Sequence, residues 1–161
     1  MKIAYEHLLN FLVDNPSLED VSKKLFQLGH EHEVEDSIFD IEFTPNRGDC
    51  LSLLGLARDL SVFYKTNLEL STYEPKIPKL DLNFINNELE RCPSISFLNI
   101  EIENEVNDYK DYLEDYFLDL KLNKNNFFTD ISNFVAYEMG QPTHCYDLNS
   151  IDADITLTRN I

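Results

Sequence analysis

The 161 residues allow one domain or two small ones, and a hydrophobic content of 43% is enough for a core. With 13 Lys and Arg against 30 Asp and Glu, the net charge is −17, which disfavours free-standing contact with nucleic acid or anionic membrane. No stretch approaches the roughly 18 apolar residues of a membrane span, and the charged start Met1-Lys-Ile-Ala-Tyr-Glu-His7 does not read as a secretory leader. Cys50, Cys92 and Cys145 share no short spacing, so reduced thiols and a cytoplasmic setting are expected.

Tyr5 to Val13 reads as a short amphipathic helix, broken at Asn15-Pro-Ser17. Ser17 is placed to cap a second helix, in which Leu18, Val21, Leu25 and Leu28 share a face, and Gly29 ends it. Residues 30–43 predict two strands around an acidic turn, Glu35-Asp-Ser37. In the second strand Phe39, Ile41 and Phe43 alternate with Asp40 and Glu42. Pro45-Asn-Arg-Gly-Asp49 follows as a turn, in which Gly48 permits φ > 0, Asp49 is suited to cap the next helix, and Arg47 is available to pair either with Asp49 or with a partner molecule. Leu53, Leu56, Ala57, Leu60 and Phe63 form the stripe of that helix.

Residues 66–81, with Pro75 and Pro78, predict a linker between a domain at 1–65 and another at 82–161. In the second part, alternation predicts a strand over 95–103, and helical spacing predicts helices over 108–122 and 132–139, the last ended by Gly140. A strand is expected to begin at Ile155. His30 and His32 read as solvated histidines without the further ligands of a metal site, and no Gly-rich phosphate loop is present. Gly140 and Pro142 shape a turn that projects Gln141 and His144, and a histidine there is suited to positioning a water or moving a proton. Ser132 and Asn133 lie near the preceding helix start and are suited to orienting a carbonyl or water.

Two segments are explained by neither composition nor periodicity. Phe43-Thr-Pro-Asn-Arg-Gly-Asp-Cys-Leu-Ser-Leu-Leu-Gly-Leu-Ala-Arg-Asp-Leu60 resembles the TPNRxDCLSxLGxAREL signature of the β subunit of bacterial phenylalanine–tRNA ligase. Ile131-Ser-Asn-Phe-Val-Ala-Tyr-Glu-Met-Gly-Gln-Pro-Thr-His-Cys-Tyr-Asp147 resembles the xTNYVMxELGQPxHAFD stretch of that family's editing domain. Lys24 to Val34 is similar to the family's EKLTxLGxEVE pattern, and Asn126 and Asp130 continue the second match. Ser132 stands where the family usually has Thr. Cys92-Pro-Ser-Ile95 departs from the usual Cys-Pro-Arg-Tyr. In bacterial members an oligonucleotide-binding barrel usually sits between the EKLTxLGxEVE pattern and the TPNR signature, and here only a few residues separate Val34 from Phe43.

The resemblance implies an α+β chain: a small helix-hairpin-helix domain, then the start of an α/β editing domain of the B3/B4 type. It implies that Ser132, Asn133, Gln141 and His144 line a pocket that hydrolyses tyrosine mistakenly joined to tRNA(Phe), with His144 as the catalytic candidate. It further implies an α2β2-type assembly with an α subunit that holds the synthetic site and uses ATP and Mg2+ to charge tRNA(Phe). No cofactor or metal is expected on this chain. A free-standing acidic module is the other reading, acting either as a deacylase of mischarged tRNA or as a non-catalytic interaction domain.

Overall fold

The computed structural model describes residues 1–68, 76, 78–151 and 154–159. The chain divides into two compact units: residues 1–71 with 106–144, and residues 72–105 with 145–161. The 106–144 segment, which a division by sequence position assigns to the C-terminal part, thus packs with the N-terminal elements. Of the linker expected over 66–81, residues 69–75 and 77 lie outside the described residues.

The first unit opens with strand β1 (Lys2–Ala4) and helix α1 (Tyr5–Leu9), shorter than the helix expected over 5–13. Helix α2 (Leu18–Gln27) starts where Ser17 Oγ accepts the Asp20 amide at 3.2 Å. It buries Val21 and Leu25 and ends before Gly29, whose φ of 84° is left-handed. Strands β2 (Glu31–Glu35) and β3 (Ile38–Glu42) are joined through Asp36 and Ser37, both at positive φ, 48° and 65°. That is the geometry of the tight turn whose twist matches a hairpin. Phe39 and Ile41 of β3 are fully buried, as the alternation requires. The hairpin is not alone: β1 adds antiparallel to β3, with Ile3 opposite Phe39, giving a three-stranded sheet in the order β1-β3-β2. A strand of three residues carries too little alternation to be seen in sequence.

Helix α3 (Leu53–Leu60) buries Leu53, Leu56, Ala57 and Leu60, while Phe63 beyond its end stays 37% exposed. Its cap is Ser52, whose Oγ accepts the Gly55 amide at 3.0 Å, and not Asp49. Asp49 sits inside a 3₁₀ turn, Gly48–Cys50, three residues too early to reach the helix amides. Gly48 does not use positive φ, which in glycines occurs only at Gly29 and Gly140. The close approach belongs to Gly55, where a Cβ would lie 2.1 Å from the Asp49 carbonyl oxygen. After α3 the chain returns to the segment that follows α1: Val13 N–H donates to the Lys65 carbonyl and Asn67 N–H to that of Phe11, so Thr66 belongs to this unit.

Helices α4 (Asp111–Asp119) and α5 (Phe127–Met139) complete the unit. Helix α4 is shorter than expected. It buries Leu113, Tyr116 and Phe117 and leaves Tyr112 56% exposed. Helix α5 begins five residues before Ser132, because Asn126 caps it by accepting the Thr129 amide at 3.1 Å. Asp130 on α5 is fully buried. It accepts from the Tyr109 hydroxyl at 2.7 Å and from the Asn125 amide.

The second unit contains strands β4 (Asn83–Asn86) and β5 (Asp154–Leu157), paired in parallel with Phe84 opposite Ile155. The strand expected over 95–103 is not formed. Its alternation is real, but a strand also needs a ladder partner, and the described residues supply none there. Phe97 instead packs edge-on to Phe84, with ring centres 4.9 Å apart.

Candidate functional site

Helix α5 and the loop after it carry the four residues singled out in the sequence. Gly140, at φ 70°, ends the helix in a left-handed turn, as its position predicts. A Cβ there would lie 3.2 Å from Ser52, so the end of α5 is seated against the cap of α3. The two family-like segments therefore meet at Gly140 and Ser52.

An open groove of about 520 Å³ lies at this junction, lined in part by Gly48, Asp49, Ser52, Arg58, Gly140 and Gln141. Of the four candidates, only Gln141 lines it. Ser132 is half-buried on α5, and its hydroxyl donates to the Phe128 carbonyl at 2.8 Å, one helical turn back. Asn133 is exposed on the same helix. The helical rise puts Ser132 about 10 Å along the axis from Met139, at the loop end of α5. His144 is exposed in the loop and is not among the groove residues. The structure thus gathers Gln141 with the Ser52 turn and leaves Ser132 and Asn133 higher on the helix.

A denser arrangement surrounds Arg47. Its guanidinium pairs with Asp49 at 3.1 Å and with Asp59 at 2.8 Å, and it reaches Cys50 Sγ at 2.8 Å. Arg58 closes on the other side of Asp49. The pairing expected between Arg47 and Asp49 is present, and Asp59 joins it. His30, read from sequence as solvated, is buried at 2% exposure, and its Nε2 lies 2.7 Å from Asp59 Oδ2. The physical reason is the turn at Gly29, which sends His30 inward against Phe43, with ring centres 5.1 Å apart. His32 is also engaged, with Ser22 Oγ at 2.8 Å and the His30 carbonyl at 2.9 Å.

The charges follow this geometry. Burial alone would raise the Asp59 pKa, but hydrogen bonds from Arg47 and His30 outweigh it and hold the carboxyl below its ordinary range. The Arg47 hydrogen bond lowers Asp49 likewise. Burial, with Asp59 adding to it, pushes the Cys50 thiol up to about 11, so it is protonated at neutral pH. A His30 ring nitrogen, Cys50 Sγ and an Asp59 oxygen all lie within 4.8 Å of one another. Sequence reasoning missed this cluster because its members lie 9 to 29 positions apart on three elements. The only local hint is an aspartate next to the apolar stripe of α3.

A second buried polar joint ties α5 to the start of the chain. The Tyr137 hydroxyl accepts the Ala4 amide at 3.2 Å and meets His7 Nδ1 at 3.0 Å. His7 Nε2 lies 3.0 Å from the Asp119 carboxylate, without hydrogen-bond alignment. Burial raises the Tyr137 pKa far above the ordinary phenol value, so the hydroxyl stays neutral.

Comparison with known proteins shows what the chain as a whole is similar to. Residues 92–161 match the B3/4 domain. The phenylalanine–tRNA ligase β subunit of Psychrobacter arcticus is 33% identical over 133 residues, covering 77% of this chain and 16% of that protein. That of Rickettsia conorii is 35% identical over 132 residues, covering 79% of this chain and 16% of the relative. That of Francisella tularensis is 29% identical over 152 residues, covering 93% of this chain and 18% of the relative. The chain therefore spans about a sixth of the length of these relatives. On this similarity, carried through most of its length, the chain belongs to the phenylalanine–tRNA ligase β-subunit family and corresponds to a part of such a subunit.

Proposed function

We propose that this chain is the N-terminal part of a phenylalanine–tRNA ligase β subunit, supplying scaffold and one wall of an editing pocket. In that reading its assembly with an α subunit charges tRNA(Phe) in the cytoplasm, using ATP and Mg2+ held elsewhere. As family domains, residues 1–65 correspond to the N-terminal domain without its barrel, 66–81 to a linker, and 82–161 to an incomplete editing domain. The observation that carries the reading is the similarity to β subunits over 77% of the chain at 33% identity. The seating of Gly140 on Ser52 supports it, because it packs the first motif segment against residues 131–144 of the second within one unit.

The proposed chemistry is hydrolysis of the ester between tyrosine and the tRNA(Phe) terminus. His144, exposed after the Gly140 turn, takes a proton from water as it attacks the ester carbonyl and returns it to the ribose oxygen as the acyl C–O bond breaks, releasing tyrosine and tRNA(Phe). Gln141, at the groove, offers an amide to orient that carbonyl or water, and Ser132 and Asn133, farther up α5, are proposed to line the wall of the same pocket once the subunit is complete. Discrimination against phenylalanine requires a buried polar partner for the tyrosine hydroxyl. That partner belongs to the remainder of the subunit.

The first measurement is the intact mass of the native product. A product several times larger than 18.8 kDa is expected. In the purified α–β assembly, His144→Ala should then slow hydrolysis of Tyr-tRNA(Phe) by roughly 10²-fold or more while aminoacylation continues. Unchanged hydrolysis would remove His144 from the catalytic role. The net charge of −17 favours a second reading, a free-standing module that docks on a basic partner. A native product of 18.8 kDa that binds no basic partner at low salt would eliminate that version.

A further inference from the structure

We propose that His30, Cys50 and Asp59 form a binding site for a thiophilic divalent cation of the zinc class, in competition with the Arg47 guanidinium. The three ligand atoms are one nitrogen, one sulfur and one oxygen, within 4.8 Å of one another. This is the donor set that zinc takes in proteins. The residues come from three places: His30 follows α2, Cys50 ends the 3₁₀ turn and Asp59 lies on α3. His30 and Cys50 are buried at 2% and 0% exposure, and the Asp59 side chain is 19% exposed. Buried ligands on separate packed elements are held in place without help from the ion.

The cluster is already organised around a positive charge. One guanidinium nitrogen of Arg47 lies 2.8 Å from Cys50 Sγ and 2.8 Å from Asp59 Oδ1. A divalent ion seated between the same two atoms replaces that cation with a more concentrated one. The Arg47 side chain is 28% exposed, so the guanidinium can swing into solvent without unpacking a helix. The 2.7 Å contact between His30 and Asp59 must lengthen, since ligand atoms around a tetrahedral ion stand roughly 3.3–3.8 Å apart. A small rotation of Asp59 accomplishes this. Asp49 Oδ2, at 3.7 Å from Cys50 Sγ, is the nearest fourth donor, and a water is the other.

The exchange balances. The Cys50 proton leaves to solvent, the thiolate and the Asp59 carboxylate neutralise the divalent charge, and His30 completes the set through a ring nitrogen. No electron transfer is involved. Functionally, the ion would staple the Thr44–Cys50 turn to α2 and α3, the base on which Gly140 is seated.

The test is titration with Co2+, and then Zn2+ as competitor, of the chain carrying Cys92→Ser and Cys145→Ser. These changes remove the less buried thiols and leave Cys50. One equivalent of Co2+ should produce a thiolate-to-cobalt charge-transfer band that Zn2+ bleaches, and Zn2+ should raise the melting temperature. Arg47→Ala should tighten binding about tenfold, and His30→Gln or Asp59→Asn should weaken it by at least as much. Circular dichroism identifies variants that remain folded, and His30→Gln and Asp59→Asn are read independently of each other. No band in the parent chain overturns the proposal, even if Arg47→Ala alone binds. A band unaffected by both ligand substitutions also overturns it.

Discussion

Residues 1–68 and 106–144 contain every buried side chain among the described residues, while 78–105 and 145–159 contain none. Both parts have apolar sequence. Ile85, Leu89, Phe97, Leu98 and Ile100 are as hydrophobic as Ile3, Leu8, Leu25 and Phe39, yet they stand between 37% and 64% exposed where the others are 0%. The difference lies in partners. In the first unit, helices with one apolar face meet a sheet with one apolar face, so each burial completes another. In the second, a two-stranded parallel pair has no covering layer among the described residues, and parallel strands ordinarily need cover on both faces.

Native-state hydrogen exchange separates the two units most directly. Amides of Val21, Leu25, Phe39, Ile41 and Leu56 should exchange orders of magnitude more slowly than those of Ile85 and residues 95–102. Equal protection in the two units would refute the division. Next in size, Phe39→Ala should cost about 3–5 kcal/mol in chemical unfolding, because it empties a fully buried ring site. Phe97→Ala should cost under about 1 kcal/mol, and a comparable loss from both would show that the second unit has a core of its own.

Asp59→Asn sharpens the picture of the first unit. The folded pKa of Asp59 lies below its unfolded value near 3.9, so the unfolded chain binds the extra proton between those values. Its stabilisation is complete above about pH 4 and is lost as the pH falls through the lower folded pKa. The substitution should therefore lower the melting temperature at pH 7, and the two melting curves should converge in strong acid. Parallel curves at every pH would assign the loss to packing alone. The smallest effect expected is that of Ser17→Ala, about 1 kcal/mol from the lost cap of α2, measured by urea unfolding.

Much of this was legible locally. Ser17, Gly29 and Gly140 punctuate their helices as cap chemistry requires, and the period-two pattern of Phe39 and Ile41 identifies the buried face of β3. The reading failed where the deciding partner is distant. Ala4 finds Tyr137, 133 positions away, and β1 pairs with β3 although three residues carry no usable pattern. Residues 95–103 alternate convincingly and form no strand, because alternation describes a side-chain face and not the neighbour that must supply hydrogen bonds. Of the candidate site, the sequence indicated the loop and its residues, while the structure separated Gln141 at the groove from Ser132 and Asn133 on the helix.

By itself the sequence determined both ends of α2, the Gly140 end of α5, the hairpin turn and the family. These rest on cap and turn residues acting within a few positions, and on long motifs that chance does not assemble. Only the tertiary structure decided that 106–144 packs with the N-terminal elements, that His30 is buried against Asp59 and that Arg47 occupies the centre of a charged cluster. Burial and charge pairing are properties of atoms close in space. The chain brings those atoms together only after its local elements have found the faces they can cover.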